Sequence, residues 1–256
     1  MNLNLQDKKM IITGASRGIG AAIAVLMAEE GAHIGLCARD GQRLGQTAQV
    51  VRDLGVSVYS ASVDVADQNA LTDWVNNAAQ ALGGIDIVIA NPSAFGSGTS
   101  EEDWRNGYAV DLMGTVHTIN AASPYLEQAA TTNGDASILI MSSAAIAETD
   151  MESAYGVFKA GLVHYAKGAA RRLAPKGIRV NTISPGTIYI EDGFWGNAKR
   201  HMQPLYEAFF NRNPMGRMGE AREVANVAAF LCSPSASFVS GANVIVDGAF
   251  TGRVNY

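Results

Sequence analysis

The chain has little cysteine, few histidines and no long apolar run, and each shortage removes a class of explanation. Only two cysteines, Cys37 and Cys232, occur in 256 residues. They lie far apart, and Cys37 falls inside an apolar strand-like run. Two buried free thiols are the expectation, because a disulfide framework or a zinc site calls for more cysteines at closer spacing. The four histidines, His33, His117, His164 and His201, show no metal-ligand spacing, so no metal is expected. No apolar stretch approaches the roughly 18 residues that a membrane span needs. The lead-in Met1–Lys9 is polar and lacks a signal-peptide core, so a cytoplasmic location without membrane contact is expected. Dense Lys/Arg runs are absent too, and the net charge is −5, which argues against nucleic acid or an anionic membrane surface as partner.

What is present is an alternation. Strand-like runs read at Lys9–Thr13, His33–Cys37, Ser57–Ser62, Ile85–Ala90, Ser137–Met141, Arg179–Ile183 and Asn243–Val246. Helical patterns read between them at Gly18–Glu30, Arg43–Leu54, Asp67–Leu82, Glu102–Ala129, Ser153–Leu173 and Glu220–Leu231. Strands separated by helices predict βαβ units with right-handed crossovers. The predicted fold is a single doubly wound α/β domain over 1–256, a seven-stranded parallel sheet with helices on both faces. An apolar content of 48% against 17% charged residues suits a sheet covered on both sides.

Thr187–Met218 breaks the alternation. It carries Tyr189, Phe194, Trp195, Tyr206, Phe209 and Phe210 together with glycines and charges. An insertion after a strand's C-terminal end lies on the ligand side of an open α/β sheet. A substrate lid is the preferred reading, because long connections in compact domains are often functional. A lobe that packs for stability or oligomer contacts is the other.

Two stretches carry chemistry. After the first strand comes Gly14-Ala15-Ser16-Arg17-Gly18-Ile19-Gly20, then an apolar-periodic helix. Glycines there permit a tight turn and close approach of a phosphate, and the helix N-terminus offers free N–H groups and a positive dipole end. The second stretch places Tyr155 and Lys159 four apart in a helical segment, hence on one face and one turn apart. An ammonium near a phenol favours the phenolate, which makes a tyrosine a better proton donor and acceptor near neutral pH.

Thr13–Gly20, Tyr155-x-x-x-Lys159, Ser142 and Ser143, Asp64-Val65, Asn91 and Ser184-Pro185-Gly186 stand in the order found in the short-chain dehydrogenase/reductase family. The chain resembles that family over about residues 5–250, its 3-oxoacyl reductase-like members most nearly. The resemblance implies a Rossmann-type fold, a nicotinamide cofactor, a small carbonyl or alcohol substrate and a homotetramer. It implies that Tyr155 moves a proton at the substrate oxygen, that Lys159 supports the tyrosine and holds the nicotinamide ribose, and that a serine polarises the carbonyl. Gly14, Ser16, Arg17, Gly18, Ile19 and Gly20 would cradle the cofactor, Asp64 and Val65 its adenine. Asn91, Pro185, Gly186 and Ile188 complete the implied cofactor contacts.

Cofactor choice turns on the end of the second strand, where Ala38 stands in place of a ribose-binding acid and Arg39 follows. An acid there would repel a 2′-phosphate, whereas Arg39, supported by Arg17, could pair with one. NADP(H) is therefore expected.

The chain departs from the family pattern in four places. The usual twelve-residue gap before the tyrosine selects Ser142 as the catalytic serine, whereas strand register selects Ser143. Register is preferred, with the other serine as a polar neighbour. On the helix Glu102–Ala129, Asp111 occupies the family's proton-relay asparagine position. Either its carboxylate pairs with Lys159 or only its backbone carbonyl matters. The same helix carries Val110, Leu112, Val116 and Ile119, an apolar face for a partner subunit or for the sheet. Asn91 is followed by Pro92-Ser93 rather than Ala-Gly, and Ile190 replaces a threonine. The resulting expectation is an NADP(H)-dependent oxidoreductase. Its rivals are a cofactor-binding sensor or scaffold that has lost catalysis, and a non-redox epimerase or dehydratase.

Overall fold

Strand β1 (Lys9–Thr13) shows how the sheet is built. Met10 and Ile12 join an apolar cluster on one face and Ile11 a second cluster on the other, all fully buried. Successive side chains point to opposite faces of a strand, so a strand apolar at every position must be covered on both sides. The computed structural model describes residues 2–95, 98–148 and 152–254. After β1 come α1 (Gly18–Glu29), β2 (His33–Ala38), α2 (Gly41–Asp53), β3 (Val58–Ser62), α3 (Gln68–Leu82) and β4 (Ile87–Ala90). Then follow α4 (Glu101–Asn106), α5 (Gly114–Asn133), β5 (Ala136–Met141), α6 (Ala154–Leu173) and β6 (Ile178–Pro185). The chain continues through β7 (Ile188–Tyr189), α7 (Phe194–His201), α8 (Gln203–Asn211), β8 (Gly219–Glu220), α9 (Ala221–Cys232) and β9 (Asn243–Val246).

Seven of the strands form one parallel sheet in the order β3-β2-β1-β4-β5-β6-β9. Helices α1, α2 and α9 cover the face that carries Met10, Ile12 and Leu36, and α3, α5 and α6 cover the face of Ile11, Val88 and Ile138. The chain winds outward in both directions from β1 and β4, so a crevice opens between their C-terminal ends, the usual ligand position in such sheets. The seven strands and their all-parallel pairing are those expected from the alternation.

Local signals set the helix ends. Asp40, Asp67 and Ser153 accept hydrogen bonds from the first-turn N–H groups of α2, α3 and α6. Glu223 closes the first turn of α9 through the Glu220 N–H, and its hydrogen bond to Arg217 holds the carboxyl down to about 2. Both cysteines are free and buried, as expected. Burial pushes the Cys37 thiol far up and that of Cys232 to about 12, so neither offers a thiolate at neutral pH.

One expectation needs correction. The helix read at Glu102–Ala129 is not continuous. Between α4 and α5 the chain takes a π-helical path over Gly107–Met113. The glycines that bracket this path are places of close approach. A Cβ on Gly107 would lie 2.6 Å from the Phe158 ring, and one on Gly114 2.8 Å from Val65. Hydrogen bonds that reach five residues back instead of four widen the turn and shift which side chains point inward, and periodicity at 3.6 cannot register it. Of the helix face offered to either a partner or the sheet, Val110 and Ile119 go to the sheet, buried in the cluster with Val88 and Ile138.

The segment between β6 and α9 folds as the short pair β7–β8 with α7 and α8. Its aromatics pack largely on each other: Trp195 on Phe194 and Phe209, Tyr206 on Tyr189 and Phe210. Phe209 stacks in turn on Phe250 near the C-terminus. The lobe thus has an apolar centre of its own. Among the described residues no helix is long and apolar enough to cross a membrane, and no metal-ligating cluster forms.

Candidate active site

At the end of β1 the backbone turns through Gly14 with φ +66°. A Cβ there would come within 2.4 Å of the Asn91 carbonyl oxygen, so both the conformation and the space demand glycine. Gly20, in the first turn of α1, has the same clearance from the Gly14 carbonyl oxygen, which presses the helix onto the turn. Asn91 locks the arrangement: its N–H donates to Thr13 Oγ1 at 3.1 Å and its side-chain amide to the Gly14 carbonyl at 3.0 Å. Helix α1 begins at Gly18 with Arg17 as N-cap and no side-chain cap, so its first N–H groups remain available to an anion. Ser16 and Ile19 flank the turn half-buried, and the Ser16 carbonyl accepts from Thr47 Oγ1. A cradle that any Cβ would fill, facing an uncapped helix start, fits the pyrophosphate of a dinucleotide.

Around the ends of the neighbouring strands the expected residues gather, with differing exposure. Ala38, at the end of β2, is buried, while Arg39 beside it is exposed and its guanidinium makes no hydrogen bond or ion pair among the described residues. Asp64 is exposed after β3, with its carboxylate turned back to the Ala66 N–H. Val65 is buried against Gly114. Pro185 ends β6, and the Gly186 N–H donates to the Val246 carbonyl at 2.9 Å. Ile188 is buried where β7 pairs with β8. Ile190, in the position of the missing threonine, lays its side chain on Gly18.

On the β4–β5 side lies the reactive cluster. Tyr155 and Lys159 do share one face of α6, and Lys159 Nζ stands 5.6 Å from the centre of the Tyr155 ring. Lys159 is only 2% exposed. Its ammonium donates to the carbonyls of Pro92 at 3.0 Å and Met141 at 3.1 Å. Asp111 Oδ1 faces it at 3.0 Å, an ion pair outside hydrogen-bond alignment, while Asp111 Oδ2 accepts from the Ala94 N–H at 3.1 Å. Both carboxylate and ammonium are thus withdrawn from water. Asp111 sits in the π-helical turn, and its backbone carbonyl accepts from Thr115 Oγ1. The Tyr155 hydroxyl is half-buried and makes no hydrogen bond to a described residue.

The two serines separate cleanly. Ser142 is buried and donates to the Lys159 backbone carbonyl at 2.9 Å. Ser143 is half-buried, and its Oγ accepts from the Ala145 N–H at 3.1 Å, which leaves its O–H free to donate elsewhere. Sequence reasoning missed Thr13, the Pro92 and Met141 carbonyls, Arg43 and Asp192. Thr13 acts through its hydroxyl, which accepts from the Asn91 N–H across the strands, and Pro92 and Met141 act through their backbone carbonyls. Arg43 and Asp192, paired at 2.8 Å, are 149 residues apart.

An uncapped glycine turn at the switch point of a parallel sheet, beside a tyrosine–lysine helix, defines a class: dinucleotide-binding α/β oxidoreductases. Residues 14–251 match the family model described as enoyl-(acyl carrier protein) reductase. Isoepoxydon dehydrogenase of Aspergillus clavatus is 38% identical over 96% of this chain and 95% of its own. The chain belongs to the short-chain dehydrogenase/reductase family. Among solved structures, the L-sorbose reductase of Gluconobacter frateurii, complexed with NADPH and L-sorbose, is 29% identical with a TM-score of 0.90, covering 99% of this chain and all (100%) of that one. A 7α-hydroxysteroid dehydrogenase complexed with NADH and 7-oxo glycochenodeoxycholic acid is also 29% identical, with a TM-score of 0.89 over 99% of this chain and 98% of that one.

Proposed function

We propose that this protein is an NADP(H)-dependent carbonyl reductase/alcohol dehydrogenase in which Tyr155 moves the substrate proton. The observation that carries the reading is the Tyr155–Lys159–Asp111 cluster beside an open glycine turn. The bound nicotinamide would supply or accept the hydride. The Gly14–Gly20 turn would hold its pyrophosphate, with Asn91 keeping the turn in shape. Arg39, exposed and uncommitted after the neutral Ala38, would meet the 2′-phosphate with Arg17. That arrangement supports NADP(H) over NAD(H), and the two relatives solved with NADPH and NADH show that the family holds both kinds of choice.

At the reacting end, the Tyr155 hydroxyl, without a hydrogen bond among the described residues, would give a proton to a substrate oxygen or take one from it. Lys159 has two N–H groups spent on carbonyls and one left for the ribose or for Asp111. Ser143 is the serine we assign to the carbonyl, because its O–H is free, whereas Ser142 is engaged with the Lys159 backbone. Accordingly Ser143→Ala should lower kcat by about 10²-fold, the scale of one lost polarising donor. Ser142→Ala should lower it less. Steady-state kinetics on the two variants checks this, and the reverse order would return the role to Ser142.

The lobe of α7 and α8 is proposed as the substrate lid, with its aromatics favouring a ring-bearing or apolar substrate. A cytoplasmic homotetramer belongs to the same reading. Trp104, Tyr108 and Val157, exposed on neighbouring turns of α4, the π-helical segment and α6, supply an apolar face for subunit contact. The test of function is NADPH consumption, followed by absorbance, with ketoses and ring ketones. Consumption with any of them, and faster with NADPH than with NADH, is the expected result. Binding of NADPH with no turnover across the panel would turn the reading toward a cofactor-binding sensor.

A further inference from the structure

The lobe touches the cofactor side of the sheet through the turn that precedes α7. Ile190 packs on Gly18, and two residues later Asp192 meets two arginines. The Asp192 backbone carbonyl accepts from Arg17 Nη1, and its carboxylate Oδ2 accepts from Arg43 Nη1 at 2.8 Å. Arg43 is also 3.4 Å from Asp40, the N-cap of α2. Arg17 belongs to the glycine turn and Arg43 to the first turn of α2, and Arg39 lies between these elements in the chain. Two guanidiniums therefore converge on one residue of the lobe, Arg17 on its backbone carbonyl and Arg43 on its carboxylate, with the exposed Arg39 between them in the chain. Nothing in the family pattern of motifs calls for an acid at this point.

We propose that the Asp192 carboxylate is an internal anion that competes with the cofactor's 2′-phosphate for Arg43, while its backbone carbonyl holds Arg17 beside it, which makes Asp192 a determinant of NADP(H) affinity and ties cofactor binding to the lobe. The inference rests on the NADP(H) reading above. Exposure makes the competition possible: the paired side chains of Arg43 and Asp192 are 43% and 51% exposed. Ion pairs so open to water are weak and readily exchanged. A phosphate offers more charge and more acceptor oxygens than one carboxylate, and guanidinium binds it in a bidentate manner. The phosphate therefore wins when present. When it is absent, Asp192 holds the turn before α7 against the N-terminal ends of α1 and α2. Occupation by the internal carboxylate lowers the apparent affinity for NADPH, because only the fraction of molecules with Arg43 free binds the phosphate fully. NADH lacks the phosphate and is indifferent to it.

The experiment is calorimetric titration of NADPH and of NADH into the full chain, as wild type, Asp192→Asn and Asp192→Glu. Asparagine keeps the backbone carbonyl for Arg17 and nearly the same volume, and removes the charge. The expected result is NADPH binding about two- to fivefold tighter in Asp192→Asn, the range set by one exposed charge pair, with NADH binding unchanged within the precision of the titration. Asp192→Glu restores the charge and should return the NADPH/NADH ratio toward that of wild type. Equal weakening of both cofactors in Asp192→Asn would make Asp192 a structural strut and overturn the proposal. An unchanged NADPH affinity in a wild type that prefers NADPH would overturn it alone and leave the NADP(H) reading intact. If wild type shows no preference and Asp192→Asn acquires one for NADPH, the proposal stands, and Asp192 is what masks the phosphate site. If neither protein prefers NADPH, both the proposal and the NADP(H) reading fall.

Discussion

Tyr155→Phe is expected to lower kcat by about 10²-fold or more while leaving the affinity for NADPH within about twofold of wild type, the signature of lost proton transfer with binding intact. The reasoning starts from what the substitution removes. Phenylalanine keeps the ring that faces Lys159 Nζ at 5.6 Å, so the packing of α6 is preserved. Only the hydroxyl goes, and that hydroxyl has no hydrogen-bond partner among the described residues to leave stranded. Folding should therefore be unaffected, and any loss of rate reports chemistry. Transient kinetics with bound NADPH would separate the chemical step from product release. A turnover equal to wild type would remove Tyr155 from the mechanism.

The second large effect is expected at Asp111. Asp111→Ala leaves the Lys159 ammonium buried without its counter-charge and deprives the Ala94 N–H of its acceptor. Breaking one partner of a buried ion pair typically destabilises by about 3–5 kcal/mol, more than an exposed pair by several-fold. Here two carbonyls still solvate the ammonium, so the lower end of about 3 kcal/mol is expected, a fall in Tm on the order of 10 °C for a chain of this length. The double variant Lys159→Met with Asp111→Ala should recover much of that loss, because an apolar pair carries no desolvation penalty. Denaturant unfolding of wild type, Asp111→Ala and the double variant at neutral pH measures the loss and the recovery. A single variant as stable as wild type would mean that water or relaxation supplies the missing charge. Asp111→Asn isolates the electrostatic part, since its amide oxygen can still accept from Ala94. With the opposing carboxylate gone, the ammonium's field acts unopposed on the phenol, and the activity profile should move to lower pH. Superimposable profiles would make the carboxylate a structural partner only.

These two sites stand at opposite ends of legibility. The tyrosine and lysine were readable because their relation is local: four residues in one helix fix a shared face whatever else the chain does. The glycine turn was readable for the same reason, as a strand, a turn and a helix in immediate succession. The sheet followed from the alternation of apolar runs, whose boundaries lie within a few residues of the observed strands. Burial on both faces demands continuous apolar strands, and such strands are recognisable without their neighbours.

Other features depended on contacts between distant parts of the chain. Ser142 and Ser143 are adjacent in sequence and point to opposite fates, one to the Lys159 carbonyl and the other to the start of a 3₁₀ turn. Their assignment needed the strand's orientation against α6. The π-helical path at Gly107–Met113 starts at Gly107, close to Phe158, and ends before Gly114, close to Val65, both neighbours coming from other elements. That path brings Asp111 to Lys159 across 48 residues of sequence. The aromatics of the lobe read as a candidate binding surface, and packing turned most of them toward each other. Asp192 was one acid among many until the fold set it against Arg17 and Arg43. The sequence by itself therefore determined the fold class, the family and the residues whose chemistry is written at short range. Tertiary structure decided which serine is free, whether the Asp111 carboxylate faces the lysine and where the lobe touches the cofactor side, because side-chain partnership over long separations is set by packing and not by pattern.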